Sequence, residues 1–320
     1  MAVNHDIITI DSHYAGEPER AAVYLMIEDG EAAFIDNNTA LAVPRLLDAL
    51  KDQGMTPEQV RYLIVTHVHL DHSGGTEALL GHCPNATVIA HPKASRHLID
   101  PSRLVQSVKQ FYGEDWFTEH YGVIGPIDEN RVQIVDDEET LPFGGRTLRF
   151  LHTRGHANHH ISIYDDKSNA MFAGDSFGVA YPKLQQGTKP FVMWSSAPTD
   201  FDPDEARKSI RRIVDSGAER VYLTHYGPFN AIDEGASQLL KSVDALEEIL
   251  DEAAGSELSG EALQDLCEKR LDAAIKLALE DSGVETNEAA QHWTKPDIRL
   301  NAMGLVYAAM RRRKAAQSGQ

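Results

Sequence analysis

The chain is short of cysteine, of basic charge and of long apolar runs, and each shortage removes a class of protein. Only two cysteines occur, Cys83 and Cys267, far apart in 320 residues, too few for a disulfide framework or a cysteine-ligated zinc cluster. Thirty Lys and Arg face 49 Asp and Glu, a formal net charge of −19, which repels phosphate backbones and anionic bilayers. Nucleic acid and membrane surfaces are therefore not expected as partners. No apolar run reaches the length of a bilayer span, and residues 1–6 carry no basic segment leading into an apolar one. The expectation is a cytoplasmic protein. With 42% hydrophobic and 25% charged residues and a mean hydropathy of −0.36, the composition is that of a globular chain with ample core.

Two unequal parts are expected. Up to about residue 228, short apolar runs alternate with helical patterns. Strands are predicted at 7–10, 22–27, 32–35, 61–65, 87–90, 132–135, 147–151, 161–164, 170–172 and 221–223. Asp202, Pro203 and Glu205 have the order of a helix N-terminus: a cap, a proline in the first turn and an acid at the third position. From 229 to 320 the chain reads as helical. Leu239, Val243, Leu246 and Leu250 form one stripe, and Leu263, Cys267, Leu271, Ala274 and Ala278 a second. A third helix, from about Asp297, is expected to bury Met303, Val306, Tyr307 and Met310. Its closing basic run, Arg311 to Lys314, places favourable charge at a helix C-terminus.

Histidine is abundant where cysteine is not: 15 are present, and 11 fall between positions 67 and 160. The densest stretch directly follows an apolar strand and reads Thr66, His67, Val68, His69, Leu70, Asp71, His72, Ser73, Gly74, Gly75. In extended chain, 67, 69 and 71 point to one side, and a turn at the glycines brings His72 round to face them. Imidazoles with a carboxylate are the donor set of borderline divalent ions such as zinc, iron or manganese, and four such ligands can serve two ions. Three later positions repeat a ligand type at a strand end: His156 after Gly155, Asp175 after Gly174, and His225 after Thr224.

That series resembles the metallo-β-lactamase superfamily, whose His-x-His-x-Asp-His run is followed by Gly-His, Gly-Asp and a last His. The resemblance spans roughly residues 20 to 230. It implies an αββα sandwich over 1–228 with a C-terminal helical extension over 229–320. It also implies two divalent metal ions, zinc ahead of iron or manganese. His67, His69 and His156 would hold one, Asp71, His72 and His225 the other, and Asp175 would bridge both. A bridging Asp resembles the glyoxalase II type (hydroxyacylglutathione hydrolases and allied lactonases) more than the zinc β-lactamases. The implied activity is hydrolysis of a thioester, lactone or related ester-like small molecule. Two metals roughly 3.5–4 Å apart bring a shared water to a pKa of about 7, and Asp71 is the catalytic residue that orients the bridging hydroxide and relays its proton.

The alternative is an oxidoreductase resembling persulfide dioxygenases, which share the fold and most of the motif but use a single iron. A nuclease is disfavoured by charge, and a scaffold by the cost of seven unliganded polar groups. His159 and His160 are candidates to orient a metal ligand, whereas His91 and His152 read as packing or surface. Phe111, Tyr112, Trp116, Phe117 and Tyr121 form one aromatic group, and Phe191 to Trp194 a second; each suits a substrate wall or plain core. Tyr181, Lys183 and Lys189 lie where glyoxalase II enzymes contact glutathione, without a residue-by-residue match. The C-terminal helices leave two roles open, a cover over the active-site mouth or a homodimer interface.

Overall fold

The structure, a computed structural model, describes residues 7–196 and 199–318, with the Phe111 side chain outside the described set. Two compact units are present. The first runs through His152 and takes in His159–Gly174 and Ala218–Pro228; the second comprises Thr153–Asn158, Asp175–Gly217 and the chain from Phe229 onward. The second unit therefore draws on two earlier segments as well as the C-terminal helices.

The first unit is built on two six-stranded mixed sheets. One is ordered β1 (Ile7–Asp11), β2 (Ala22–Glu28), β3 (Glu31–Ile35), β4 (Val60–Ile64), β5 (Thr87–Ala90) and β6 (Val132–Ile134). The other runs from β7 (Thr140–Phe143) through β8 (Arg146–His152), β9 (Ile161–Asp165), β10 (Ala170–Gly174) and β11 (Arg220–Leu223) to β12 (Gly227–Phe229). Strands β3 to β6 are parallel, and β10 and β11 form the parallel pair of the second sheet.

Period-two alternation divides the apolar residues between two cores. Tyr24, Met26, Ala33, Ile35 and Ile64 of the first sheet meet Phe150, Ile163, Phe172 and Tyr222 of the second. Their neighbours Val23, Leu25, Phe34, Leu63 and Val88 face the opposite way, onto helices α1 (Val43–Asp52), α3 (Thr76–His82) and α4 (Pro92–Ile99). Burial on both faces explains why these strands read as nearly continuous apolar runs. Tyr24, buried between the sheets, donates its hydroxyl to the carbonyl of Leu223. The short α2 (Leu70–Ser73) and the pair α5 (Ser102–Tyr112) and α6 (Glu114–Tyr121) complete this unit's helices.

The second unit is mainly helical: α7 (Pro203–Asp215), α8 (Ile232–Gly255), α9 (Gly260–Asp281) and α10 (Glu288–Ser318). The Asp202 carboxylate accepts the Glu205 N–H at 3.1 Å, the cap its sequence predicts. Leu239, Val243, Leu246 and Leu250 are buried on α8, and Leu263, Cys267 and Leu271 on α9.

Helix α10 departs from expectation. It begins at Glu288 and continues through Pro296, and its buried face carries Ile298, Asn301, Ala302, Leu305 and Ala309. Tyr307 and Met310, expected inside, are 46% and 47% exposed. The buried face combines Trp293, Ile298 and Leu305 with the small residues Ala302, Gly304 and Ala309. Nor does the basic run end its own helix. Arg313 donates to the carbonyls of Ala253 and Ala254 at the open C-terminus of α8, and to that of Leu258 in the loop that follows. Among the described residues no helix is long and apolar enough to cross a membrane.

Candidate metal centre

The motif residues of the first unit follow β4. After β4 the chain bends at Thr66 and is extended at His69, which occupies the N-cap position of α2 with φ −62° and ψ 143°. Asp71 is thus delivered by the first turn of a helix, not by the extended run that its spacing predicts. The reason is the hydrogen bonding after His69, where its carbonyl accepts from the N–H groups of His72 and Ser73. Gly75 then passes so close to the loop after β3 that a Cβ there would lie 2.5 Å from the Asn37 carbonyl oxygen.

Five ligand-type side chains converge in this unit. His67 Nε2 and His69 Nδ1 face each other at 2.8 Å. The His67 and His72 rings are 4.0 Å apart. Asp71, His72 and His225 each offer a donor atom within 4.8 Å of the others, with His225 Nε2 3.3 Å from Asp71 Oδ2. In the second unit, His156 Nε2 lies 3.3 Å from Asp175 Oδ2, and both residues are buried. Gly155, at φ +117°, turns the chain into His156 where a Cβ would meet the Ala206 backbone at 2.4 Å. Asp175 is the first residue after β10.

Three of these imidazoles are oriented in the same way. His72 Nδ1 lies 2.7 Å from Asp36 Oδ2, His225 Nδ1 2.8 Å from the Arg20 carbonyl, and His156 Nδ1 2.9 Å from the Ser195 carbonyl. Each oxygen accepts, so each Nδ1 carries the hydrogen, which in the neutral imidazole leaves the Nε2 lone pair for a cation. Asp36 is a centre of this support that sequence reasoning missed. It also accepts from the N–H and hydroxyl of Thr66 and, at 2.8 Å, from the hydroxyl of Thr224. The available signal was a polar run, Asp36, Asn37, Asn38 and Thr39, directly after apolar β3; all four are buried.

The remaining candidates sort by contact. His160 is fully buried with its ring 4.9 Å from that of His67, and the Val68 N–H approaches His159 Nδ1 at 3.5 Å. His91 caps α4 through the Lys93 N–H and lies 4.2 Å from the ring of His152, in keeping with packing roles. Phe117 and Tyr121 pack on Leu70, beside Asp71. Tyr112, Trp116 and His120 stack along α5 and α6. Tyr121 also shares a 2.9 Å hydrogen bond with the hydroxyl of Tyr14, a neighbour the sequence did not disclose. Burial, with the nearby Asp71 charge adding to it, raises both phenol pKa values well above the usual range. In the second unit Phe191 to Trp194 are all buried, Tyr181 meets Trp293 and Asp297, and Lys189 pairs with Asp281 at 3.7 Å.

The family model described as the metallo-beta-lactamase superfamily matches residues 16–225. The chain belongs to that superfamily. It is 26% identical over 215 residues to the metallo-beta-lactamase fold-containing protein ST1585 of Sulfurisphaera tokodaii, covering 66% of this chain and 74% of that one. It is 30% identical over 175 residues to a hydroxyacylglutathione hydrolase of Methylobacillus flagellatus, 54% of each chain. A hydroxyacylglutathione hydrolase of Aeromonas hydrophila is 28% identical over 167 residues, 52% of this chain and 50% of the relative. The chain thus spans about half the length of these two hydrolases. In fold, it superposes on the ST1585 structure with a TM-score of 0.65 at 21% identity, over 93% of this chain and 97% of that one. The superfamily member TTHA1429 of Thermus thermophilus gives 0.60 at 24% identity, over 87% and 93%. The fold is that of the superfamily, two mixed sheets with helices, followed by a C-terminal helical region.

Proposed function

We propose that the chain is a metal-dependent hydrolase of a small ester-like molecule, a thioester or lactone. His67, His69, Asp71, His72, His156, Asp175 and His225 are its proposed ligands, for two divalent cations. The observation that carries this reading is the shared orientation of His72, His156 and His225, each with Nδ1–H held and Nε2 left to bind a cation. Such outer hydrogen bonds fix the tautomer and raise the basicity of a ligating imidazole. The donor set of nitrogen and carboxylate oxygen, without thiolate, suits zinc, iron or manganese. The hydroxyacylglutathione hydrolases among the relatives support thioesters as substrates.

Bound divalent cations supply an acidified water and withdraw electron density from a carbonyl oxygen. The chain's residues do the rest. Asp71, 3.3 Å from His225 Nε2, holds an acceptor oxygen at the cluster, suited to orienting a nucleophilic water and moving its proton to the leaving group. Asp36 keeps His72 in one rotamer through the reaction. Leu70 and Phe117 pack as buried apolar groups beside Asp71.

The deciding experiment is metal analysis by inductively coupled plasma mass spectrometry on tag-free protein, followed by thioester and lactone panels. About two equivalents of divalent metal with turnover that chelator abolishes is the expected result. About one equivalent of iron, with oxygen consumed on persulfides, would replace the hydrolase by an oxygenase.

A further inference from the structure

Two segments of the first unit support the proposed ligand pair Asp71 and His225. One is the loop between β1 and β2, with Tyr14 near its start and Arg20 near its end. The Arg20 carbonyl orients His225. A single carboxylate joins the two ends of the loop: Asp11 accepts the His13 N–H at 3.1 Å and the Glu19 N–H at 3.0 Å, from the residues directly before Tyr14 and Arg20. His13, Ala15 and Glu19 lie at φ +53°, +55° and +61°, a region that side chains disfavour, so contacts rather than backbone preference hold this loop in shape.

The other segment is α6. It follows Gly113, at φ 89° and ψ 157°, and ends at Gly122, at φ 72° and ψ −146°, both close to a region open mainly to glycine. Backbone of that kind at both ends does not fix the direction of the helix, and its side chains must. Phe117 and Tyr121 are buried and pack on Leu70, the residue between His69 and Asp71.

The two segments are joined by one hydrogen bond, 2.9 Å between the hydroxyls of Tyr14 and Tyr121, across 107 positions of sequence. Burial, with the Asp71 charge adding to it, keeps both phenols protonated well above their usual range, so the bond persists at any working pH. We propose that Tyr14 and Tyr121 are positioning residues for Asp71 and His225. Their hydrogen bond fastens α6, which backs Asp71 through Leu70, to the loop that orients His225, and so keeps Asp71 Oδ2 and His225 Nε2 at the 3.3 Å separation seen here. This role rests on the proposed assignment of Asp71 and His225 as ligands of one cation.

The test is zinc binding to the metal-free full-length chain, by competition with a chromogenic chelator, together with hydrogen exchange of peptides covering 12–21 and 114–121. Tyr14→Phe and Tyr121→Phe keep the rings and remove the bond. Each should weaken one zinc equivalent about three- to tenfold, less than the loss of a group bonded directly to a ligand, and leave the other equivalent unchanged. The double variant should bind zinc like either single one, because each already lacks the same bond, whereas independent packing roles would add. Exchange should quicken in both peptides together. In the unmodified chain zinc should slow exchange at 114–121, since coupling is reciprocal; this measurement decides if a variant does not fold. Single variants that bind zinc as tightly as the unmodified chain, additive losses, or exchange at 114–121 that ignores zinc would overturn the role of the pair and leave the hydrolase reading standing. An unmodified chain that takes up no second equivalent would overturn both.

Discussion

Asp36 Oδ2 accepts the Nδ1–H of His72 at 2.7 Å, and the same carboxylate ties Thr66 before the histidine motif to Thr224 before His225. One buried acid thereby sets the end of β4, the orientation of His72 and the end of β11. It sits at φ +56°, a backbone region that most side chains avoid, so the loop after β3 holds a strained residue at a point of support.

Asp36→Ala should therefore weaken metal binding without removing a proposed ligand, by about 10- to 100-fold. Competition with a chromogenic chelator measures this directly. Unchanged affinity would show that His72 is held well enough by its packing.

His69→Ala and Asp175→Ala should each strip metal and abolish turnover. His91→Ala, which loses only the cap of α4, should keep its metal. Elemental analysis of the three proteins separates these outcomes, and full activity in the Asp175 variant would exclude a two-metal bridge.

Gly155→Ala should destabilise the chain by more than about 3 kcal/mol, since it combines a positive φ with a clash against α7 backbone. The clash is specific: the added Cβ would lie 2.4 Å from the Ala206 Cα. Denaturant midpoints, or recovery of soluble protein, report the loss.

Arg313→Met keeps much of the apolar stem but removes donors to two carbonyls at the end of α8 and one in the loop after it. A loss of about 1–3 kcal/mol is expected, visible in the melting temperature. The exposed Arg311→Met should change stability less.

Burial pushes the thiols of Cys83 and Cys267 up to about 11 from 9.0. Between those values the unfolded chain releases protons that the folded chain keeps, so stability falls as pH rises through that window. The limiting slope is about 1.4 kcal/mol per pH unit for each thiol. Urea midpoints between pH 8 and 10.5 should decline less steeply for a Cys83→Ala, Cys267→Ala variant. Both thiols should also resist alkylation at pH 8 in the folded protein.

The sequence by itself determined the family, the strand-rich first part, the helical last part and the positions of the candidate ligands. These were legible because they rest on local or short-range order: apolar periodicity, the Asp202 cap, and histidines packed into a few residues after a strand. Asp175 and His225 were legible only by their order in the chain, since a lone acid or histidine after a strand carries little information.

Tertiary structure decided what depends on residues remote in sequence. Asp36 became a support because Thr66, His72 and Thr224 reach it, the last from 188 positions away. The buried face of α10 carries Ile298, Ala302, Leu305 and Ala309 and leaves Tyr307 and Met310 to solvent, a choice its own periodicity does not contain, and Arg313 found the end of α8 rather than that of its own helix. Asp71 entered the cluster from a helical turn because the carbonyl of His69 accepts the N–H groups of His72 and Ser73. A hydrophobic pattern states which residues avoid water, but which partner satisfies a buried donor or acceptor is fixed only when the whole chain has folded around it.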